Sequence, residues 1–89
     1  MINHQFIIDH LCKLVEKCYN DHQGANSVKY VNVFINWLQK YWDDEAVDAL
    51  IACLDAQIVQ GNEGHNLAIW LVCHLDGMIK ILNGQDPQE

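Results

Sequence analysis

Apolar positions repeat with a helical period along most of the chain. Between residues 4 and 20 the apolar side chains recur every three or four positions, and charged or polar residues fall between them. Apolar residues at this spacing form one face of an amphipathic helix. The polar stretch 20–27 that follows contains Gly24, which is typical of a loop before the next helix. We therefore predict a first helix over about 4–20.

The second segment, about 28–42, carries signals for both a strand and a helix. Its run VKYVNVFINWL is rich in β-branched and aromatic residues, a composition that favours strands. Its polar residues nevertheless follow one stripe of a helix, and strict alternation fails at Phe34. We predict a helix whose apolar residues cover two adjoining sides. The first side carries Val31, Phe34, Ile35, Leu38 and Trp42, and the second carries Tyr30, Val33, Trp37 and Tyr41.

The third and fourth segments have clear helix boundaries. Asp43 or Asp44 is placed to cap a helix over about 44–60, because a short acidic side chain can accept from the free N–H groups of a first turn. Gly61 follows in the usual position for glycine just past a helix end. A short polar loop then leads to a fourth helix over about 65–82.

Four helices with short connections indicate one small domain. Short connections join antiparallel neighbours, so the sequence predicts an all-α fold, a small antiparallel four-helix bundle-like domain formed by residues 1–89. A chain of 89 residues has room for a single modest core. We expect residues 85–89, which follow the last helix, to be frayed.

The charge of the chain is negative and unevenly distributed. Its formal net charge is −7, and its five basic residues are all Lys. Residues 1–40 sum to +1, whereas residues 41–89 sum to −8. Nucleic acids and anionic membranes attract clusters of Lys and Arg, which this chain lacks. We therefore expect neither direct nucleic-acid binding nor membrane binding.

The stretch YWDDEAVDALIACLDAQ, residues 41–57, carries five carboxylates and no Lys or Arg. On the predicted third helix Asp44, Asp48 and Asp55 share one face, at spacings of four and seven. For each acid alone, a cap or a solvated surface is the simpler interpretation. As a group they can steer and orient a basic partner, with exposed aromatic residues as apolar anchors. The predicted partner-binding residues are Asp43, Asp44, Glu45, Asp48, Asp55, Trp37 and Trp42.

The sequence contains few of the features that catalysis requires. It has one Ser, no Thr and no Gly-rich phosphate loop, and its carboxylates are expected to be solvated. We expect a non-catalytic module without a cofactor that docks on a basic protein surface and inhibits or regulates a larger protein. Proteins that handle nucleic acid are the class with such surfaces. Small acidic proteins of this kind occur among immunity proteins and among phage or plasmid anti-restriction and anti-CRISPR proteins. The N-terminus lacks a basic, apolar leader, so we expect a cytoplasmic protein with reduced thiols.

Two alternatives remain open. A homodimer or assembly subunit would use the excess apolar faces of the second and fourth helices, where Ile69 and Cys73 fall in line with polar residues. A metal or redox module would need four residues to converge, namely Cys18, His22, Cys53 and Cys73. They have no paired spacing of a known zinc module, and Cys often packs as a small apolar residue, so no metal site is predicted. His74 is expected to be a buried neutral histidine bound to a backbone carbonyl.

Overall fold

The computed structural model describes residues 4–84 as four α-helices joined by short connections. The helices are α1 (Gln5–Asn20), α2 (Ser27–Tyr41), α3 (Glu45–Val59) and α4 (Gly64–Leu82), with a 3-10 turn at His22–Gly24 between α1 and α2. No strand occurs within this range, so the predicted all-α helical bundle is confirmed. The predicted fraying of 85–89 concerns positions outside the described residues.

The helices pack around one continuous apolar core. Each helix contacts its neighbour in sequence, and α4 also packs against α1 and α2. The fully buried large side chains come from all four helices: Ile7, Leu11, Val31, Leu38, Val47, Leu50, Leu54, Leu67, Leu71, Met78 and Leu82. Because these residues recur at three- and four-residue spacings, each helix places a single stripe against the others.

The helical period of α2 prevails over its strand-like composition. Val31, Phe34, Ile35 and Leu38 are all buried, and their spacing matches one face of a helix. The second apolar side that the sequence predicts for this helix is only partly covered. Tyr30 and Trp37 are half-buried, and Val33 and Tyr41 are exposed.

The connection between α1 and α2 packs directly on the start of α4. Gly24 adopts a left-handed conformation with φ of +86°, and a Cβ on it would lie 2.8 Å from the Cα of His65. The Ser27 hydroxyl donates to the Gly24 carbonyl at 2.7 Å. The sequence predicted a plain loop here. The structure forms a short 3-10 turn instead, because the chain must pass close to the α4 backbone.

The two ends of α3 carry the predicted signals. Asp44 caps α3, and Gly61 follows the end of that helix with a φ of +87°. Asn26 occupies the N-cap position of α2, but its side chain donates to Asp21 at 3.3 Å rather than capping the helix. Of the helices between residues 4 and 84, none combines the length and apolar content needed to cross a membrane.

Candidate functional site

A group of aromatic rings lies on the surface where the start of α1 meets the end of α2. We call these residues the aromatic cluster: Phe6, His10, Trp37, Tyr41 and Trp42. The His10, Phe6 and Trp37 rings form a triangle, with centroid distances of 4.3 Å from His10 to Phe6, 4.7 Å from His10 to Trp37 and 5.9 Å from Phe6 to Trp37. The Trp37 and Trp42 rings meet edge to face at 4.6 Å. The backbone turns to an extended conformation at Trp42, which directs the chain from the cluster to α3.

Local sequence spacing and helix packing together build the aromatic cluster. Phe6 and His10 are one turn apart on α1, so their rings meet on the same face, with planes inclined by 49°. The His10 Nδ1–H donates to the Phe6 carbonyl at 2.9 Å, which fixes the orientation of the imidazole ring. Trp37, on the neighbouring helix α2, stacks on the His10 ring. The cluster therefore depends on the contact between α1 and α2 and does not exist in either helix alone.

Much of the aromatic cluster faces the solvent. The exposed fractions are 56% for Phe6, 62% for Tyr41 and 62% for the neighbouring Val33. Trp37 and Trp42 are half-buried. Large contiguous apolar surfaces of this kind are typical of sites that bind other proteins, and Trp and Tyr are common anchors there. Trp37 and Trp42, the anchors proposed from the sequence, lie in this cluster but are themselves less exposed than Phe6 and Tyr41.

A shallow open groove of about 280 Å³ runs between α1 and α2 beside the aromatic cluster. Its lining residues are His10, Leu14, Lys17, Tyr30, Val33, Phe34 and Trp37. At its far end the Lys17 ammonium lies 4.4 Å from the centroid of the Tyr30 ring. The Tyr30 hydroxyl donates to the Asp21 carboxylate, which lowers the pKa of Asp21 and raises the pKa of Tyr30. The groove is therefore apolar at its centre and polar at this end.

Asp44, one of the predicted acidic residues, accepts several hydrogen bonds within the fold. Its Oδ1 accepts from the backbone N–H groups of Ala46, at 2.8 Å, and Val47, at 3.1 Å. Its Oδ2 accepts from His4 Nε2 at 2.8 Å, in a contact where the two side chains are only 14% and 16% exposed. Asp44 therefore caps α3 and ties it to the start of α1, and it does not offer a free carboxylate.

The pKa of Asp44 reflects two opposing effects. Partial burial raises it, whereas the hydrogen bonds from His4 and from the α3 backbone, together with the nearby His4 charge, lower it. The lowering effects prevail, so the pKa of Asp44 lies below its ordinary value of 3.8. The charged form of Asp44 is thus the form that the fold stabilises.

The other acids near the start of α3 are exposed to solvent. We call Asp43, Glu45 and Asp48 the acidic turn. No ion pair to any of the three occurs among residues 4–84. Asp55 is also exposed, but it lies two helical turns beyond Asp48, about 10 Å along the helix axis. The structure therefore groups three of the predicted acids and leaves Asp55 apart from them.

Cys18, His22, Cys53 and Cys73, the residues of the metal or redox alternative, do not form a metal site in the described part of the chain. Within the described residues no three His, Cys, Asp or Glu side chains lie close enough together to hold a metal ion. Cys18 is buried, and burial raises its pKa, whereas Cys73 is exposed. Cys53 is half-buried with a raised pKa from the same cause. The metal or redox alternative thus has no ligand set between residues 4 and 84.

The prediction for His74 is half right. Its Nδ1–H donates to the Trp70 carbonyl at 2.9 Å, as expected, and its ring stacks on Trp70 at 4.5 Å. The predicted burial is wrong, because His74 lies on the outer side of α4 and is exposed. The same helix also exposes Ile69 (37%) and Val72 (46%), close in sequence to the exposed Cys73. The excess apolar surface predicted for α4 is therefore present.

Sequence reasoning missed the contribution of α1 to the aromatic cluster. Phe6 lies outside the core stripe of α1 and one turn before His10, a spacing that marks an exposed aromatic pair. What the sequence could not indicate is that this pair meets Trp37. That contact requires the packing of two helices.

The aromatic cluster and the acidic turn are continuous along the chain. Trp42 is followed directly by Asp43, one Cα step of about 3.8 Å away. Exposed rings beside exposed carboxylates can bind cationic and apolar groups. Comparisons with protein-family models, with curated proteins and with solved structures gave no match for this chain.

Proposed function

We propose that this protein is a non-catalytic binding module that docks on a basic surface of a larger protein. The observation that supports the proposal best is the continuity of two exposed surfaces. The aromatic cluster supplies apolar anchors, and the acidic turn beside it supplies carboxylates that have no ion-pair partner among residues 4–84. Each feature alone is common on protein surfaces, but together they fit a partner that is both cationic and apolar.

The two surfaces have different physical roles in such a complex. The net charge of −7 raises the rate at which a basic partner approaches, and the acidic turn orients that partner. Removal of the exposed aromatic rings from water supplies most of the affinity, at roughly 25 cal/mol for each Å² of apolar surface buried. Salt should weaken binding through the first role and leave the second largely unchanged.

A Lys- and Arg-rich surface in the cell is often one that binds nucleic acid. A small acidic module that covers such a surface would block it, and this is the mode of action that we propose. The regulatory classes that fit are immunity proteins and the anti-restriction and anti-CRISPR proteins of phages or plasmids, acting in the cytoplasm. Size and charge support this choice of class, and the proposal does not depend on a sequence motif.

The test compares two variants with the same change of charge. The first variant carries Asp43→Asn, Glu45→Gln and Asp48→Asn, which neutralises the acidic turn and leaves Asp44 in place. The control carries three exposed substitutions elsewhere: Glu16→Gln, Glu63→Gln and Asp76→Asn. Both variants and the wild type are immobilised and exposed to host lysate at low and moderate salt.

The proposal expects one basic protein to be retained by the wild type and by the control, and lost with the acidic-turn variant. Its binding, measured again with the purified partner, should weaken as salt rises. Equal retention by both triple variants would show that net charge alone, or another surface, is responsible. Binding of the purified partner that is independent of salt would remove the electrostatic part of the proposal.

A second candidate function is self-association through α4. The observation in its favour is the exposed apolar group of Ile69 and Val72 on one side of that helix. Light scattering over a dilution series measures the mass directly. A strict monomer at micromolar concentration removes this candidate, and a dimer that is lost with Val72→Lys supports it.

A further inference from the structure

We propose that the acidic turn and the aromatic cluster select arginine over lysine side chains on the partner. This inference rests on the docking function proposed above and names the chemical group that the site recognises. An Arg guanidinium is planar, stacks on aromatic faces and presents a fork of donors to a carboxylate. A Lys ammonium is a compact point charge that can lie over a ring, but it neither stacks flat on the ring nor presents a fork of donors.

The rings needed for stacking are present and open to solvent. The Trp42 ring lies between two exposed rings, with centroid distances of 6.2 Å to Phe6 and 6.3 Å to Tyr41. The Phe6 and Trp42 planes are inclined by 31°, whereas Tyr41 and Trp42 meet at 77°. The rings therefore present faces in more than one direction, and a guanidinium can lie on an exposed face without moving the core.

The molecule already places one of its own cations on a ring of the aromatic cluster. The Lys40 ammonium lies 5.4 Å from the Tyr41 centroid, and at the far end of the groove the Lys17 ammonium lies over Tyr30 in the same way. The Lys40 contact is near the outer limit of about 6 Å for such interactions. Lys40 is exposed, so it is a weak competitor that an arginine of the partner can displace.

The carboxylates next to the rings have a fixed backbone. Asp43 and Glu45 flank Asp44, whose carboxylate is held by the first turn of α3 and by His4. The cap therefore fixes the main chain on both sides of Asp44 before any partner arrives. A free carboxylate on this fixed main chain, beside an aromatic face, fits a group that stacks and donates two parallel hydrogen bonds at once.

The test uses two short peptides of equal length and charge, one with Arg and the other with Lys at every basic position. The chain contains three Trp residues. A Trp70→Phe background leaves Trp37 and Trp42 as the fluorescent residues, so a change in emission reports on the aromatic cluster. Dissociation constants are measured for both peptides at low and moderate salt, and thermal melting confirms that each variant is folded.

We expect the Arg peptide to bind about fivefold to tenfold more tightly than the Lys peptide, the range for one added stacking contact and a second charged hydrogen bond. Tyr41→Phe should keep this preference, because it keeps the ring. Tyr41→Leu should reduce it while the Lys peptide binds as before. Lys40→Gln should strengthen binding of the Arg peptide, because it removes the competing cation.

Three results would overturn the inference, and they differ in their consequence for the docking function. Equal binding of both peptides, weakened by salt and by neutralising the acidic turn, overturns arginine selectivity and leaves docking on a basic surface intact. Binding of neither peptide overturns the inference and the docking function together. A preference for Arg that is unchanged in Tyr41→Leu and in Phe6→Ala would place the selectivity elsewhere and also overturn the inference.

Discussion

Replacing Asp44 by Ala tests whether this acid holds the fold together or belongs to the free acidic surface. Loss of an N-cap side chain costs about 1 kcal/mol. The contact between Oδ2 and His4, at 2.8 Å and mostly shielded from solvent, adds about 1 kcal/mol after allowance for its remaining exposure. We therefore expect Asp44→Ala to lower the free energy of unfolding by about 2 kcal/mol. In a domain of this size, that loss corresponds to a fall in Tm of about 8–16 °C.

Three further variants separate the parts of this effect. Asp44→Ser keeps a capping oxygen and loses the His4 contact, so it should show about half of the loss, and His4→Ala should show the same half. Asp43→Ala is the matched control, because this residue is adjacent and exposed, and its effect should stay within about 0.5 kcal/mol. Unfolding is followed by circular dichroism in urea and on heating. If Asp44→Ala and Asp43→Ala were equally stable, the proposed role of the cap and of His4 would be wrong.

The loss of stability in Asp44→Ala is expected to depend on pH. The pKa of Asp44 in the folded state lies below the ordinary value of 3.8, so the folded state favours the charged carboxylate. Its contribution to stability is present above the unfolded pKa and is lost as the pH falls through the lowered, folded pKa. The difference between wild type and Asp44→Ala should be complete at neutral pH and shrink below about pH 4. A difference that stayed constant down to about pH 2 would contradict the assignment.

Other predictions concern backbone, thiol and phenol chemistry. Gly24→Ala and Gly61→Ala both place a side chain at positive φ, but only the first puts a Cβ against backbone. Gly24→Ala should therefore lose at least about 1 kcal/mol more stability in urea unfolding, and equal losses would refute this. A disulfide reagent should modify the exposed Cys73 rapidly and the buried Cys18 only on unfolding, and Cys73→Ser should lack that rapid phase. Hydrogen bonding raises the pKa of Tyr30, so Tyr30→Phe should remove an ultraviolet titration step above the ordinary value of 10.0. The hydrogen bond of Tyr30 stabilises the fold below pH 10.0, and this stabilisation is lost as the pH rises through the raised pKa of Tyr30. A titration curve that is unchanged in Tyr30→Phe would contradict the raised pKa.

The helices themselves follow from local sequence. The predicted boundaries lie within a few residues of the observed ones, because periodic apolar residues, an acidic cap and a following glycine act over one or two turns. Even in α2, where composition favours a strand, the periodic apolar face of Val31, Phe34 and Leu38 was sufficient to predict a helix. The exception was the connection at Gly24. Its 3-10 turn depends on contact with α4, which lies about forty residues later in the sequence.

Some features of the candidate site also follow from local sequence, whereas others depend on how the helices pack. Local sequence accounts for the helices, the negative charge of residues 41–89 and the excess of apolar residues on α2 and α4. Which of these residues remain exposed depends on contacts between helices. In the folded chain Phe6 contacts Trp37, and Asp44 binds His4, which lies forty positions away in the sequence. Periodicity reports which side of a helix is apolar, but the choice of which apolar side is covered depends on how the helices pack against each other.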